Sequence, residues 1–249
     1  MGDGIDSGTQ AALPVVESLT LRATDPRGRG REHGEHWRAA VHALAERRHA
    51  HLAAHRSRAE IETWANSVLG LMAQVVPALH AELCGIAEGA DLAPERVITI
   101  NAADDFPARA DVGGDTSIYF NGLEGPCMGH TWILRRDLAS SIRVVRHAEL
   151  GAVVTVPGSL GIAGLTADGL AVVGASLSQN ERGPGLPWPA LMRSALAGGS
   201  ASAALAVFKS LPRASGRYAV LADRGEFFGV ESSASRAVLT QVGARAAHL

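Results

Sequence analysis

The chain has 249 residues, 47% of them apolar, and a formal net charge of −2, enough length and apolar content for one large domain or two small ones with a substantial buried core. The near-neutral balance leaves no electrostatic footprint for nucleic acid or an anionic membrane surface. No apolar run reaches the ~18 residues of a membrane span, and the opening MGDGIDSGTQ carries neither a basic nor an apolar signal region, so a cytoplasmic protein without a membrane is expected.

In chain order, residues 1–20 are expected to be a disordered tail, with order beginning near Leu19, and TDPRGRGREHG (24–34) reads as a turn-rich charged connector. Helical spacing runs from Glu35 to about His55. It resumes from Ala59 to Ala87, where Ile61, Trp64, Val68, Leu71, Met72 and Leu79 keep a helix period, and Pro77 is expected to bend that helix. A shorter helix follows Asp91, with Pro94 in its first turn. These elements make residues 21–110 a helical region. From residue 111 to 249 the texture becomes a β-rich core of short runs bounded by glycine: DTSIYF, SIRVVRH, AVVTVPG, LAVVGASL, RYAVLAD and EFFGVESS. One more helix is expected between Trp188 and Ser210, weakened by two glycines. Helices, strands, a helix and strands in that order predict a layered α+β domain forming one structural unit.

Cys84 and Cys127 have no paired spacing, which fits neither a disulfide framework nor a zinc site and suits a reducing cytoplasm. Lys209 is the only lysine, hence the only candidate for Schiff-base chemistry, and reads as a surface residue. His51 and His55 share a helix face at i,i+4 spacing, but no HExxH pattern or nearby thiol accompanies them, so a solvated face is expected and no metal is assigned.

Four colinear segments resemble isopenicillin N acyltransferase and its bacterial relatives, the cysteine-peptidase-like branch of the N-terminal-nucleophile (Ntn) hydrolases. GREHG (30–34) is similar to that family's Gly-x-x-His-Gly element, in which His33 would help a turn pack the first helix on the sheet. ELCGIAEGADLAPERVITINAADDF (82–106) is similar to its Glu-x-x-Gly-Ile-Ala-x-Gly-Ala helix and the helix after it. GDTSIYFNGLEGPCMGHTWIL (114–134) resembles its Gly-Cys-Thr-Thr strand, glycine-centred hairpin and Gly-Gln-Asn-Trp-Asp, and GIAGLTADGLAVVGASL (161–177) a later hairpin. The resemblance spans roughly residues 24–235 and implies an Ntn-hydrolase-like αββα sandwich, in which autocleavage frees a cysteine that attacks an amide or thioester.

The sequence departs from that pattern at two places. Aligned without a gap, the family's cysteine falls on Asp115, its following hydroxyl residues on Thr116 and Ser117, and the aspartate after Trp132 on Ile133. A carboxylate is a poor acyl-shift nucleophile, so self-cleavage is not expected. The family also continues through a further strand-rich quarter, where this chain ends at GARAAHL. The expected sandwich is therefore truncated at its C-terminus, with exposed sheet edges that are either closed differently or completed by a second protein subunit.

At the family's catalytic position, Asp115 reads as a functional carboxylate able to hold or deprotonate an amine, against the alternative of an ordinary turn residue. Ser117 and Tyr119 share its face by strand alternation and are candidate substrate-binding residues. So are Thr116, a replacement nucleophile if cleavage moved by one residue, and His130 and Trp132, which stand where the family has its Gln-Asn-Trp. Cys127 reads as a small buried side chain, with catalysis as the alternative.

The implied activity is in secondary-metabolite biosynthesis. An acyltransferase-like pocket would activate a small-molecule amine, without a cofactor, for intramolecular ring closure. The short chain and implied partner resemble the two-subunit aziridine-forming enzymes of azinomycin-type biosynthesis, which displace sulfate. Arg135 and Arg182 would then neutralise the leaving group. The alternatives are an amide hydrolase or acyltransferase using Thr116 or Cys127, and a non-catalytic pseudoenzyme that stabilises its partner.

Overall fold

The computed structural model describes residues 16–105, 115–122, 125–132, 140–177 and 181–243. The stretch expected as a charged connector is a helix, α1 (Pro26–His36), capped by Asp25, whose carboxylate accepts from the Gly28 N–H at 2.8 Å. Its glycines disfavour a helix by about 1 kcal/mol each, and tertiary packing overrides that preference. Helix α1 lies backbone to backbone on α4 (Pro77–Ala90): a Cβ on Gly30 would stand 1.9 Å from the Glu82 carbonyl oxygen, and one on Gly34 2.2 Å from that of Ile86. The contact is reciprocal, since a Cβ on Gly85 would stand 2.0 Å from the Arg27 oxygen and one on Gly89 2.2 Å from that of Arg31. Two segments distant in sequence, GREHG and ELCGIAEG, thus meet in one helix pair.

After α1 come α2 (Arg38–Ala53) and α3 (Arg58–Val75), the latter opened by a Ser57/Glu60 capping box. The single helix expected over 59–87 is instead α3 and α4. Val76, the residue before Pro77, is pushed out of the helical region to φ −135°, and Pro77 restarts the chain as the first residue of α4. Helix α5 (Pro94–Ala102) follows as expected and ends in a 3₁₀ turn, Ala103–Asp105. The expected last helix is also two, α6 (Trp188–Ala197) and α7 (Ala201–Ser210), because Gly198–Gly199 interrupts it with Gly199 at φ +74°.

Among the described residues, eight strands form one sheet: β1 (Ser18–Thr20), β4 (Arg143–His147), β5 (Gly151–Thr155), β6 (Ala163–Leu165), β7 (Ala171–Ser176), β8 (Arg217–Ala222), β9 (Phe227–Ser232) and β10 (Ala237–Gly243), adjacent in that order. All neighbours are antiparallel except β1, which pairs parallel to β4 from within the span read as a tail. Strands β2 (Thr116–Gly122) and β3 (Gly125–Thr131) form a separate antiparallel hairpin.

Period-two alternation sorts the main sheet's side chains into two layers. Val172, Leu221, Phe228 and Val230 join the helices in the large core, whereas Val173, Val220, Ala222 and Phe227 face the hairpin and bury Tyr119 of β2. The protein is mixed α+β, and its described residues are layered as helices, an eight-stranded sheet and a two-stranded sheet.

Buried polar groups tie the helices to the turn after β5. The Asn101 amide donates to the carbonyl of Gly158 at 2.9 Å, and its carbonyl accepts from the Leu160 N–H at 2.9 Å. His33 Nε2 accepts from the Gly158 N–H at 2.9 Å, and Arg193 donates to the Leu160 carbonyl at 2.9 Å. His33 is therefore a helical residue holding a loop from across the core. Burial holds its imidazole down to about 4, so it stays neutral and able to accept that bond.

Candidate functional site

The hairpin presents two unlike faces. Along β2 and the residue before it, Thr116, Ile118 and Phe120 are exposed, whereas Asp115 and Ser117 are half-buried and Tyr119 is buried, which is the expected alternation. Register pairs Ser117 with His130 and Thr116 with Thr131. Ser117 Oγ and His130 Nδ1 accordingly lie 2.7 Å apart in a hydrogen bond between facing strands.

Asp115 lies on the same face, two residues from Ser117, and its Oδ2 accepts from the Ser176 N–H at the end of β7 at 3.3 Å. Its charge also acts on His130. Burial pushes that imidazole below its ordinary value and Asp115 pulls it partly back, so the ring is neutral at neutral pH and capable of accepting a proton. The second ring nitrogen, Nε2, is buried without a hydrogen-bond partner. One nitrogen of the neutral ring is thus committed to Ser117, and the other has no hydrogen-bond partner.

Trp132 closes this group. Its ring meets His130 edge-on with centroids 4.6 Å apart, and its Nε1–H donates to the Gly174 carbonyl on β7 at 3.4 Å. The structure thus brings together Asp115, Ser117, His130 and Trp132.

Three other expected contributors lie apart from that group. Tyr119 is stacked on Phe227 at 4.6 Å within the core beneath the hairpin, so it shares the face of Asp115 as packing. Thr116 points to solvent from the opposite face. Arg182 lines a different feature, a groove of about 940 Å³ against α3, where it donates to the Asp104 carbonyl at 2.9 Å. Arg135 lies outside the described residues. Cys127 is exposed rather than buried and pairs in register with Phe120 on the outer face.

Sequence reasoning missed the partnership itself. His130 and Ser117 were each expected near a pocket, but their pairing depends on the register of the two strands, which the glycine-bearing motif between them does not specify. The Ser176 N–H comes from a strand more than fifty residues away. Among the described residues, no group of three His, Cys, Asp or Glu side chains could hold a metal ion, and no helix is long and apolar enough to cross a membrane. The chain matches no protein-family model and no curated protein.

Proposed function

We propose that the chain is a subunit of a small-molecule biosynthetic enzyme that activates a substrate amine for intramolecular ring closure, such as aziridine formation with loss of sulfate. The observation that carries this reading is the Asp115 carboxylate beside the hydrogen-bonded Ser117–His130 pair, with the imidazole neutral and one of its nitrogens uncommitted. An amine displaces a leaving group only as the free base, so the reaction needs a proton acceptor next to a group that orients the nitrogen. In the proposed step the nitrogen lone pair forms the new C–N bond. The C–O bond to sulfate breaks and carries its electrons away with the sulfate, and the proton released from nitrogen passes to His130, whose cation the Asp115 charge stabilises. Alignment of amine and leaving group supplies much of the remaining advantage.

The layer order supports an Ntn-hydrolase-like framework, as does the meeting of GREHG with ELCGIAEG in one helix pair. A second protein subunit is supported by the outer face of the hairpin. Ile118 is 47% exposed and Phe120 43%, and their exposed neighbours Thr116, Cys127, Gly129 and Thr131 are all uncharged. A two-stranded ribbon with one bare apolar face calls for a further layer. The free thiols of Cys84 and Cys127 suit a reducing cytoplasm.

The test supplies a vicinal amino-alkyl sulfate to the chain together with its co-purified subunit and follows sulfate release. Asp115→Asn and His130→Gln should each lower the rate by about a hundredfold or more. Full rates in both variants would remove the reading and leave a non-catalytic, partner-stabilising role.

The Ser117–His130 bond also favours a second reading, acyl transfer with Ser117 as the base-activated nucleophile. That chemistry predicts covalent labelling of Ser117 by a fluorophosphonate and abolition of activity in Ser117→Ala. Amine activation predicts neither.

A further inference from the structure

We propose that a second site, on the helix side of the main sheet, binds a small amphipathic carboxylate. The proposal is independent of the chemistry assigned to the hairpin, which packs on the opposite face of that sheet. A cavity of about 610 Å³ opens between the start of α1, the start of α4, the end of α6 and the turn after β4. One part of its wall is apolar, built from Val76, Pro77, Leu79, Leu150 and Leu211. Another part is polar, built from Arg29, Glu82, His147 and Arg193.

The polar part is mostly buried and incompletely satisfied. Arg193 and Glu82, each with a side chain 5% exposed, form a two-pronged ion pair at 2.9 and 3.0 Å. Arg29 Nε stands 3.8 Å from Glu82 Oε2, outside hydrogen-bond range. Arg29 Nε, Arg193 Nε and His147 Nε2 are all buried without a hydrogen-bond partner. The two guanidinium Nε–H groups are donors and are costly to leave unmet unless an acceptor reaches them, whereas the neutral His147 nitrogen needs a donor or an acceptor according to its tautomer.

Charge identifies the class of ligand. Arg22, Arg29 and Arg193 line the cavity against two carboxylates, Glu82 and Glu149, which leaves one positive charge in excess with His147 neutral. A monoanion balances that excess, whereas a phosphate dianion would add charge beside the buried Glu82. A carboxylate also matches the planar guanidinium fork, and the apolar wall requires that it carry a short hydrocarbon chain.

The test is isothermal titration calorimetry of the full chain, with its partner subunit where the two co-purify, against hexanoate, hexylamine, hexanol and inorganic phosphate. Hexanoate should bind in preference to the other three. Arg29→Gln should weaken it by about tenfold or more, the loss expected for a charge-assisted contact. Ala197→Trp, at an exposed position on the cavity wall, should block it without touching the ion pair, which keeps the test informative if Arg29→Gln fails to fold. Hexanoate binding no tighter than hexylamine, phosphate binding in its place, or hexanoate binding unchanged in Ala197→Trp would each overturn the proposal.

Discussion

Replacing Gly85 by alanine should destabilise the protein even though alanine is the better helix former. A Cβ there would lie 2.0 Å from the Arg27 carbonyl oxygen, where ordinary contact begins near 3.4 Å. Because the obstacle is backbone in a facing helix and not a mobile side chain, α1 must withdraw by more than an ångström. A gap of that size forfeits a quarter to a half of each dispersion contact along the pair. Overpacking of this kind costs about 3 kcal/mol or more, and the propensity gain returns about 1 kcal/mol. The expected net loss is therefore about 2 kcal/mol or more, or roughly 4–8 °C in Tm for a domain of this size. Gly70 in α3 is the internal control, since a Cβ there meets nothing within 4 Å, and Gly70→Ala should stabilise by about 0.5–1 kcal/mol. Urea denaturation of both variants measures the difference. If Gly85→Ala proved as stable as Gly70→Ala, the backbone-to-backbone packing of α1 on α4 would be refuted.

The pH dependence of stability has a determined sign. Burial holds His33 down to about 4, and burial with the Arg193 charge does the same to His147, against an ordinary value of 6.5. The unfolded chain then binds more protons between those values, so stability is full above pH 6.5 and declines toward pH 4, by up to about 3 kcal/mol for each histidine. Thermal melts that stay flat across that window would contradict it. Asn101→Ala should cost about 2–4 kcal/mol by leaving the Gly158 carbonyl and the Leu160 N–H unpaired in the interior, measured by the same denaturation. Glu82→Gln should cost about 3–5 kcal/mol because it strands the Arg193 charge. Pairing Glu82→Leu with Arg193→Met should recover most of that loss, and a double variant no more stable than Glu82→Gln would show that the charge is not the cause.

Legibility in the sequence followed the range of the forces involved. The alternation of Asp115, Ser117 and Tyr119 is a property of any extended strand, and the β-rich runs after residue 115 announced most of the sheet. Helix α1 was hidden because glycine weakens a helix locally. Its reason for being there, the approach of α4, lies some fifty residues away and has no local signature. The break at Pro77 was visible as a kink, but a proline allows a helix either to bend or to restart, and Val76 at φ −135° takes the restart. Tyr119 and Phe227 lie on strands more than a hundred residues apart, and only the docking of the hairpin on the main sheet makes them a stacked pair. Arg182 was assigned by charge alone, and charge does not say which carbonyl a long side chain will reach.

The most direct test of an intact, amine-activating site is the intact mass of the chain after native co-purification from its source. A single unbroken polypeptide accompanied by a second, different one is the predicted result, with Asp115 in the interior of the chain and its carboxylate beside His130. Two fragments meeting at Asp115 or Thr116 would contradict it, because a new amino terminus there would restore the cleaved-nucleophile chemistry of amide hydrolysis or acyl transfer.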